Sequence, residues 1–180
     1  LFPQSLIELY DTSAMHHTAC DAITAGIVGD GIEIIGDEYI NQKGETIQEI
    51  YEKISLDYVL FAGYAINVIW SKDRTKIAEI YHLPFSNVRS GKPNEEANLR
   101  KYPYQEYKAF DATDNKGDNA SQVFYFYGYT PGNQVYPLPN YVAAMNDISL
   151  DAQVSRFHAN NIANGLAPSM FVQFRNGVPS

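Results

Sequence analysis

Residues 156–180 read RFHANNIANGLAPSMFVQFRNGVPS and carry three local structural signals in succession. The apolar spacing over residues 157–163 predicts an amphipathic helix, and Asn164-Gly165 supplies the left-handed residue that ends it. Pro168 cannot continue a helix, so the chain is predicted to leave as an apolar strand over residues 170–174, closed by a turn at residues 176–179.

Two more helices are predicted upstream. Helical spacing after Thr12 or Ser13 predicts the first over residues 13–28, followed by a short strand at residues 32–34. The second begins at Thr46, because its hydroxyl and the Glu49 carboxylate can each satisfy a free backbone amide. Its apolar stripe consists of Ile47, Ile50, Tyr51, Ile54, Tyr58 and Phe61.

Alternating β-branched and aromatic residues predict a hairpin over residues 64–70 and 76–82, with Ile66, Val68 and Trp70 on one face. A further strand is predicted over residues 122–128, with Phe124 and Phe126 opposite Val123, Tyr125 and Tyr127. Residues 84–120 are rich in Gly, Pro, Asn and charged residues and predict an irregular loop, interrupted by a possible strand at residues 105–110. Residues 140–164 predict a helical segment with a candidate break near residues 147–149.

These elements predict an α+β fold with helices packed on a small mixed or antiparallel sheet. A length of 180 residues and 45% apolar composition are typical of one folded domain over residues 1–180. No apolar run approaches the roughly 20 residues of a membrane span, so no membrane association is expected. The chain starts without Met and ends after a turn signal, which suggests a piece of a longer chain.

Charge is distributed unevenly along the chain. The net charge is −8, and residues 1–63 carry eleven acids against Lys43 and Lys53. Because nucleic-acid binding draws on clustered Lys and Arg, we expect poor DNA binding and an acidic surface that faces solvent or a basic partner.

The single Cys20 excludes an internal disulfide and suits a reducing cytoplasm, where we expect it to be a small buried residue.

No convincing catalytic or metal site is predicted. Gly26, Gly29 and Gly31 follow a helix instead of preceding one, which favours a helix stop over a phosphate cradle. The acids could supply the paired carboxylates of a glycosidase, but a solvated helix face explains most of them. We therefore expect no enzyme activity, no cofactor and no metal. The candidate metal ligands are His16, His17, His82 and His158. The candidate catalytic carboxylates are Asp37, Glu38, Glu45, Glu49 and Glu52.

Tyr125, Tyr127 and Tyr129 are the candidate binding residues. On an exposed strand face they could stack on sugars or single-stranded nucleic acid, although no Lys or Arg is interleaved for a nucleic-acid backbone. A buried or intersubunit aromatic layer is the favoured interpretation, since Tyr offers a large apolar area with one polar tip.

Three segments in chain order resemble the portal proteins of tailed bacteriophages, in particular the prophage-type subgroup. They are the helix-stop-strand phrase of residues 156–180, the helix and glycine turn of residues 17–31, and the aromatic-x-Gly-aromatic helix end of residues 61–70 with the hairpin that continues to residue 89. The resemblance covers about residues 9–179 and implies the outer, N-terminal wing region of a portal.

The resemblance implies a structural function. The intact protein would form a ring, typically of twelve subunits, at the portal vertex of the virion after assembly in the bacterial host cytoplasm. Double-stranded DNA would pass through the ring without sequence-specific binding, and capsid, terminase and tail or connector proteins would dock on it. Because the stem has no counterpart here, we expect the 180 residues alone to be monomeric or weakly associating. Two alternatives remain: a carbohydrate-binding or glycoside-active domain, and a phage tail or baseplate interaction protein.

Overall fold

A computed structural model describes residues 3–32, 39–90, 99–101, 105–112, 121–132 and 136–165. The helices are α1 (Gln4–Thr12), α2 (Ala14–Val28), α3 (Ile47–Phe61) and α4 (Met145–Ala163), with short 3-10 turns at Phe85–Asn87 and Asn140–Ala144. The strands are β1 (Gly63–Trp70), β2 (Ile77–Leu83), β3 (Val88–Ser90), β4 (Leu99–Lys101), β5 (Gln105–Ala109) and β6 (Ser121–Tyr127). None of the described helices combines the length and apolar character needed to cross a bilayer.

The strands form one sheet in the order β2-β1-β6-β5-β4-β3. The central strand β1 runs antiparallel to both β2 and β6, whereas β5 runs parallel to β6. The sheet is therefore mixed, and the predicted α+β class is confirmed.

Local signals set the helix ends. The Ser13 hydroxyl accepts a hydrogen bond from the backbone N–H of His16 at 3.2 Å, which caps α2. Thr46 and Glu49 form the predicted reciprocal cap at the start of α3. Gly29 follows α2 with φ 55° and Gly31 has φ 90°, so the predicted helix stop is confirmed.

The connection from α3 to β1 is very short. Ala62 caps the helix in the left-handed conformation, with φ 57°. A Cβ atom on Gly63 would lie 2.7 Å from both the Phe126 carbonyl oxygen and Cζ of Phe85. Glycine is therefore required at position 63, and the close approach fixes the carboxyl end of α3 against the sheet.

The hydrophobic core joins the helices to one face of the sheet. Helices α1, α2 and α3 pack their buried side chains against β1, β2, β6 and the 3-10 turn after β2. Burial of these side chains supplies the main driving force for packing the helices onto the sheet. The buried members are Leu6, Cys20, Leu60, Phe61, Ala65, Leu83, Phe85, Val88 and Val123.

The structure corrects two predictions, an irregular loop over residues 84–120 and a helix break near residues 147–149. Within residues 84–120, where an irregular loop was predicted, the described residues form a 3-10 turn and three strands, of which only β5 was predicted. The strands β3 and β4 are each three residues long, too short to show an alternating pattern in the sequence, and they are recognised by their pairing with neighbouring strands. The helix is not broken near residues 147–149, because the change from 3-10 to α geometry falls at Met145 and Asp147 lies in the favourable first turn.

Helix α1 was not predicted, although Leu6 anchors it in the core. The helix end at Asn164 and Gly165 is confirmed, with Gly165 at φ 70°. The strands predicted for residues 32–34 and 170–174 and the turn at residues 176–179 lie wholly or mostly outside the described residues.

Candidate interaction surfaces

The structure places the three candidate tyrosines in different environments. The ring of Tyr125 stacks on the core residue Phe85, with ring centroids 5.0 Å apart, and burial raises the pKa of its hydroxyl. Tyr127 is half-exposed and its ring lies 5.7 Å from that of Tyr125, whereas Tyr129 is 90% exposed. Tyr125 and Tyr127 are thus neighbours and Tyr129 stands apart in solvent, while their role in an interface stays a prediction.

The opposite face of β6 carries a surface that the sequence alone did not single out. Six aromatic rings contact one another in an unbroken series with centroid separations between 5.1 and 6.2 Å, and we call this series the aromatic ladder. Three of its members are 38–42% exposed, so the ladder lies at the surface. In order, its residues are Tyr58, Phe126, Tyr64, Phe124, Phe110 and Trp70.

Strand register builds the ladder. Tyr64 of β1 lies directly opposite Phe126 of β6, so their rings share one face of the sheet. At the far end, the Trp70 Nε1–H donates to Oε1 of the buried Gln122 at 3.0 Å and its ring stacks on Phe110. Alternation within each strand was visible in the sequence, but the pairing of β1 with β6 was not.

A hydrogen-bonded basic turn adjoins the Trp70 end of the ladder. Asp73 accepts hydrogen bonds from the Ser71 hydroxyl and from the backbone and hydroxyl of Thr75, which lower the pKa of its carboxyl. These bonds order the connection between β1 and β2. The turn carries three cationic side chains against the one acid, namely Lys72, Arg74 and Lys76.

Helix α4 exposes a second apolar surface, which we call the α4 stripe: Leu150, Val154 and Phe157. Spacings of four and three residues place these side chains on one face of the helix, and Phe157 is 62% exposed. The other side of α4 packs on α1 and α2, and the Asp151 carboxylate accepts a 2.7 Å hydrogen bond from the buried Ser13 hydroxyl. The α4 stripe and the aromatic ladder therefore belong to different surfaces of the chain.

The predicted exposure of Glu49 and Glu52 on α3 is confirmed. Glu49 and Glu52 are exposed, and half-buried Glu45 pairs with Lys53 at 2.6 Å. Hydrogen bonds from Lys53 and Asn41 lower the pKa of Glu45. Asp37 and Glu38 lie outside the described residues.

The histidines lie in separate packing environments. His16 is buried, with its ring 4.4 Å from that of Tyr141 and 3.7 Å from Sγ of Cys20, and burial lowers its pKa. Burial also raises the pKa of the Cys20 thiol. His82 pairs with Asp57 at 2.8 Å between α3 and β2, and the exposed His158 is on α4. Across the described ranges, no three His, Cys, Asp or Glu side chains are grouped so that they could hold a metal ion.

Comparison with known proteins finds a shared fold in a solved structure. No protein family matches the chain, and no curated protein matches it. Among solved structures, it is similar to a chain in the neck of an empty GTA (gene transfer agent) particle computed with C6 symmetry. That likeness has a TM-score of 0.67 at 13% sequence identity and covers 93% of this chain. It spans 48% of the matched chain, about half its length, and shows a shared fold.

Proposed function

We propose that this chain is the wing part of a portal subunit, the ring-forming head-tail connector of a tailed phage or phage-like particle. One observation carries the proposal: the fold is shared over 93% of the chain with a protein of a particle neck. The resemblance of residues 17–31, 61–89 and 156–180 to portal proteins supports the same assignment independently, because it depends on sequence.

In the proposed role, the intact protein forms a homo-oligomeric ring, typically of twelve subunits, at the portal vertex. Double-stranded DNA passes through the channel without sequence-specific contacts, and capsid, terminase and tail or connector proteins attach to the ring. The chain itself contributes packing surfaces and performs no catalysis. It is assembled in the bacterial host cytoplasm and ends in the virion or its prophage-derived equivalent.

The surfaces described above support a role in assembly. Contiguous exposed apolar patches on a folded chain are typical of protein–protein contacts. The net charge of −8 supports passage of DNA without tight binding, since an acidic surface repels phosphate.

Immunogold labelling of particles made by the host tests the proposal. An antibody against residues 1–180 is expected to label one vertex of the head, at the junction with the tail. Label along the tail or at the baseplate would contradict the portal assignment and favour the alternative of a tail protein. Absence from particles, together with specific binding on a glycan array, would favour the carbohydrate-binding alternative.

A further inference from the structure

We propose that neighbouring copies of this chain contact each other through two different surfaces, with the α4 stripe of one copy packed across the aromatic ladder of the next. The inference rests on the proposed ring-forming function and adds the surfaces that make the contact. Its occupant is a second copy of this chain.

The aromatic ladder has the character of an interface core. Its six rings are contiguous, three are 38–42% exposed, and none is charged. Aromatic residues are enriched at the buried centres of interfaces, where charged residues are depleted. A helix with an apolar face is a suitable partner, because helices pack on sheet faces throughout α+β proteins.

The dimensions of the two surfaces match. From Tyr64 to Trp70 the strand β1 rises roughly 20 Å, at about 3.3 Å per residue. On α4, the face that carries the α4 stripe runs from Asp147 to Asn161, which is about 21 Å at 1.5 Å per residue. One helix face therefore covers the ladder along most of its length.

Charge complementarity favours one direction of docking. The turn beside the Trp70 end of the ladder carries Lys72, Arg74 and Lys76 against Asp73, whereas α4 carries Asp147 and Asp151 against Arg156. The basic turn of one copy thus attracts the acidic amino-terminal half of α4 in another. Asp147 is exposed at the start of α4, so it would meet Lys72 and Lys76 of the neighbour and place Phe157 towards Tyr58.

Two different surfaces on one chain make a head-to-tail contact, which closes into a ring when the rotation between copies is suitable. A surface that paired with itself would instead stop at a dimer. The geometry is thus compatible with ring formation and predicts that damage to either surface prevents closure.

A cysteine pair tests the contact in the complete gene product. The double variant Phe124→Cys with Val154→Cys is expected to give a series of disulfide-linked multimers on a non-reducing gel after mild oxidation. In a product whose cysteines outside residues 1–180 are replaced by serine, each single variant is expected to remain unlinked, since Cys20 is buried. Linked dimers of Phe124→Cys alone would show that the ladder pairs with itself and would overturn the proposal.

Complementation gives a second test by mass photometry. Phe157→Asp and Phe124→Asp are each expected to weaken assembly roughly 30-fold, as loss of a central interface residue does. Mixed together, the two variants retain one intact ladder and one intact α4 stripe, so they should form one-to-one dimers that do not close. The matched control Ser155→Asp alters an exposed residue of α4 outside both surfaces and should leave assembly unchanged.

Failure of the assigned contact and failure of the ring-forming function give different results. Wild-type product that never forms a ring would contradict the proposed function. Wild-type rings that persist in Phe157→Asp and Phe124→Asp, or rings whose double-cysteine variant does not crosslink, would overturn the assigned contact and leave the ring-forming function intact. Circular dichroism of each variant establishes that it is folded.

Discussion

A single buried hydroxyl connects distant parts of the helical layer. Ser13, only 1% exposed, accepts a hydrogen bond from the N–H of His16 and donates one to Asp151 on α4. The cap at Ser13 or Thr12 was predictable, because it depends on residues within one helical turn. The bond to Asp151 was not, because it crosses 138 positions of sequence and depends on how α4 packs.

Replacing Ser13 with Ala should lower the free energy of unfolding by about 2 kcal/mol. The change removes the cap of α2 and leaves the Asp151 carboxylate without its hydroxyl donor. Urea unfolding measures the difference. Thr18→Ala is the matched control, because its exposed hydroxyl bonds within α2, and it should change stability by less than about 0.5 kcal/mol. Equal effects of the two variants would contradict the role of Ser13.

His16 should make stability depend on pH. Burial lowers the pKa of His16 from its ordinary 6.5, so below that pH the unfolded state binds the proton more readily than the folded state. This stability is complete above about pH 6.5 and is lost as the pH falls towards the lowered pKa. His16→Gln should therefore flatten the decline in stability between about pH 6.5 and 5.

Urea midpoints across that pH range measure the effect. His158→Gln removes an exposed imidazole from α4 and serves as the control, which should keep the wild-type dependence. A decline of the same slope in His16→Gln and in the wild type would show that His16 is not responsible.

At the scale of elements, local signals determined most helix boundaries. The reciprocal cap of Thr46 and Glu49 and the glycine stop after α2 each lie within a few residues, so sequence alone located α2 and α3. The order of the strands could not be read in the same way. Strands β3 and β4 are too short to show an alternating pattern in the sequence and are recognised because β4 pairs with both β3 and β5.

The joint between α3 and β1 yields a matched pair of substitutions. Gly63→Ala should lower the free energy of unfolding by about 1–3 kcal/mol, because the new Cβ would overlap the Phe126 carbonyl oxygen and the Phe85 ring. Ala62→Gly, one position earlier, should raise it by up to about 1 kcal/mol, since glycine adopts the left-handed conformation without strain.

Thermal unfolding compares the two variants directly. Position 63 has no room for a Cβ atom, whereas position 62 has a left-handed backbone that favours glycine. The two changes in the free energy of unfolding should therefore have opposite signs. Destabilisation by both substitutions to the same extent would contradict the assigned geometry of the joint.

At the scale of the whole molecule, a surface emerges that no single segment contains. The aromatic ladder combines α3, β1, β6 and Phe110, and it required the register of Tyr64 with Phe126. The sequence favoured Tyr125, Tyr127 and Tyr129 as binding residues because they occupy alternate positions along the chain. Only the packing shows that Tyr125 faces the core while Phe124 and Phe126 face outward.

The charge distribution predicts weak DNA binding. With a net charge of −8, the chain should bind a short duplex with a dissociation constant above about 10⁻⁴ M at near-physiological salt. Fluorescence anisotropy measures this. The variant with Lys72→Glu and Lys76→Glu should behave as the wild type does. Tight binding that this variant abolishes would show that the basic turn contacts DNA instead of a neighbouring subunit.

Electron microscopy of the purified, complete gene product tests the ring-forming role most directly. Class averages from negative stain are expected to show a closed ring with a central channel wide enough for duplex DNA and with rotational symmetry, typically twelve-fold. Averages that show only monomers, two-fold dimers or fibres at micromolar concentration would contradict the account.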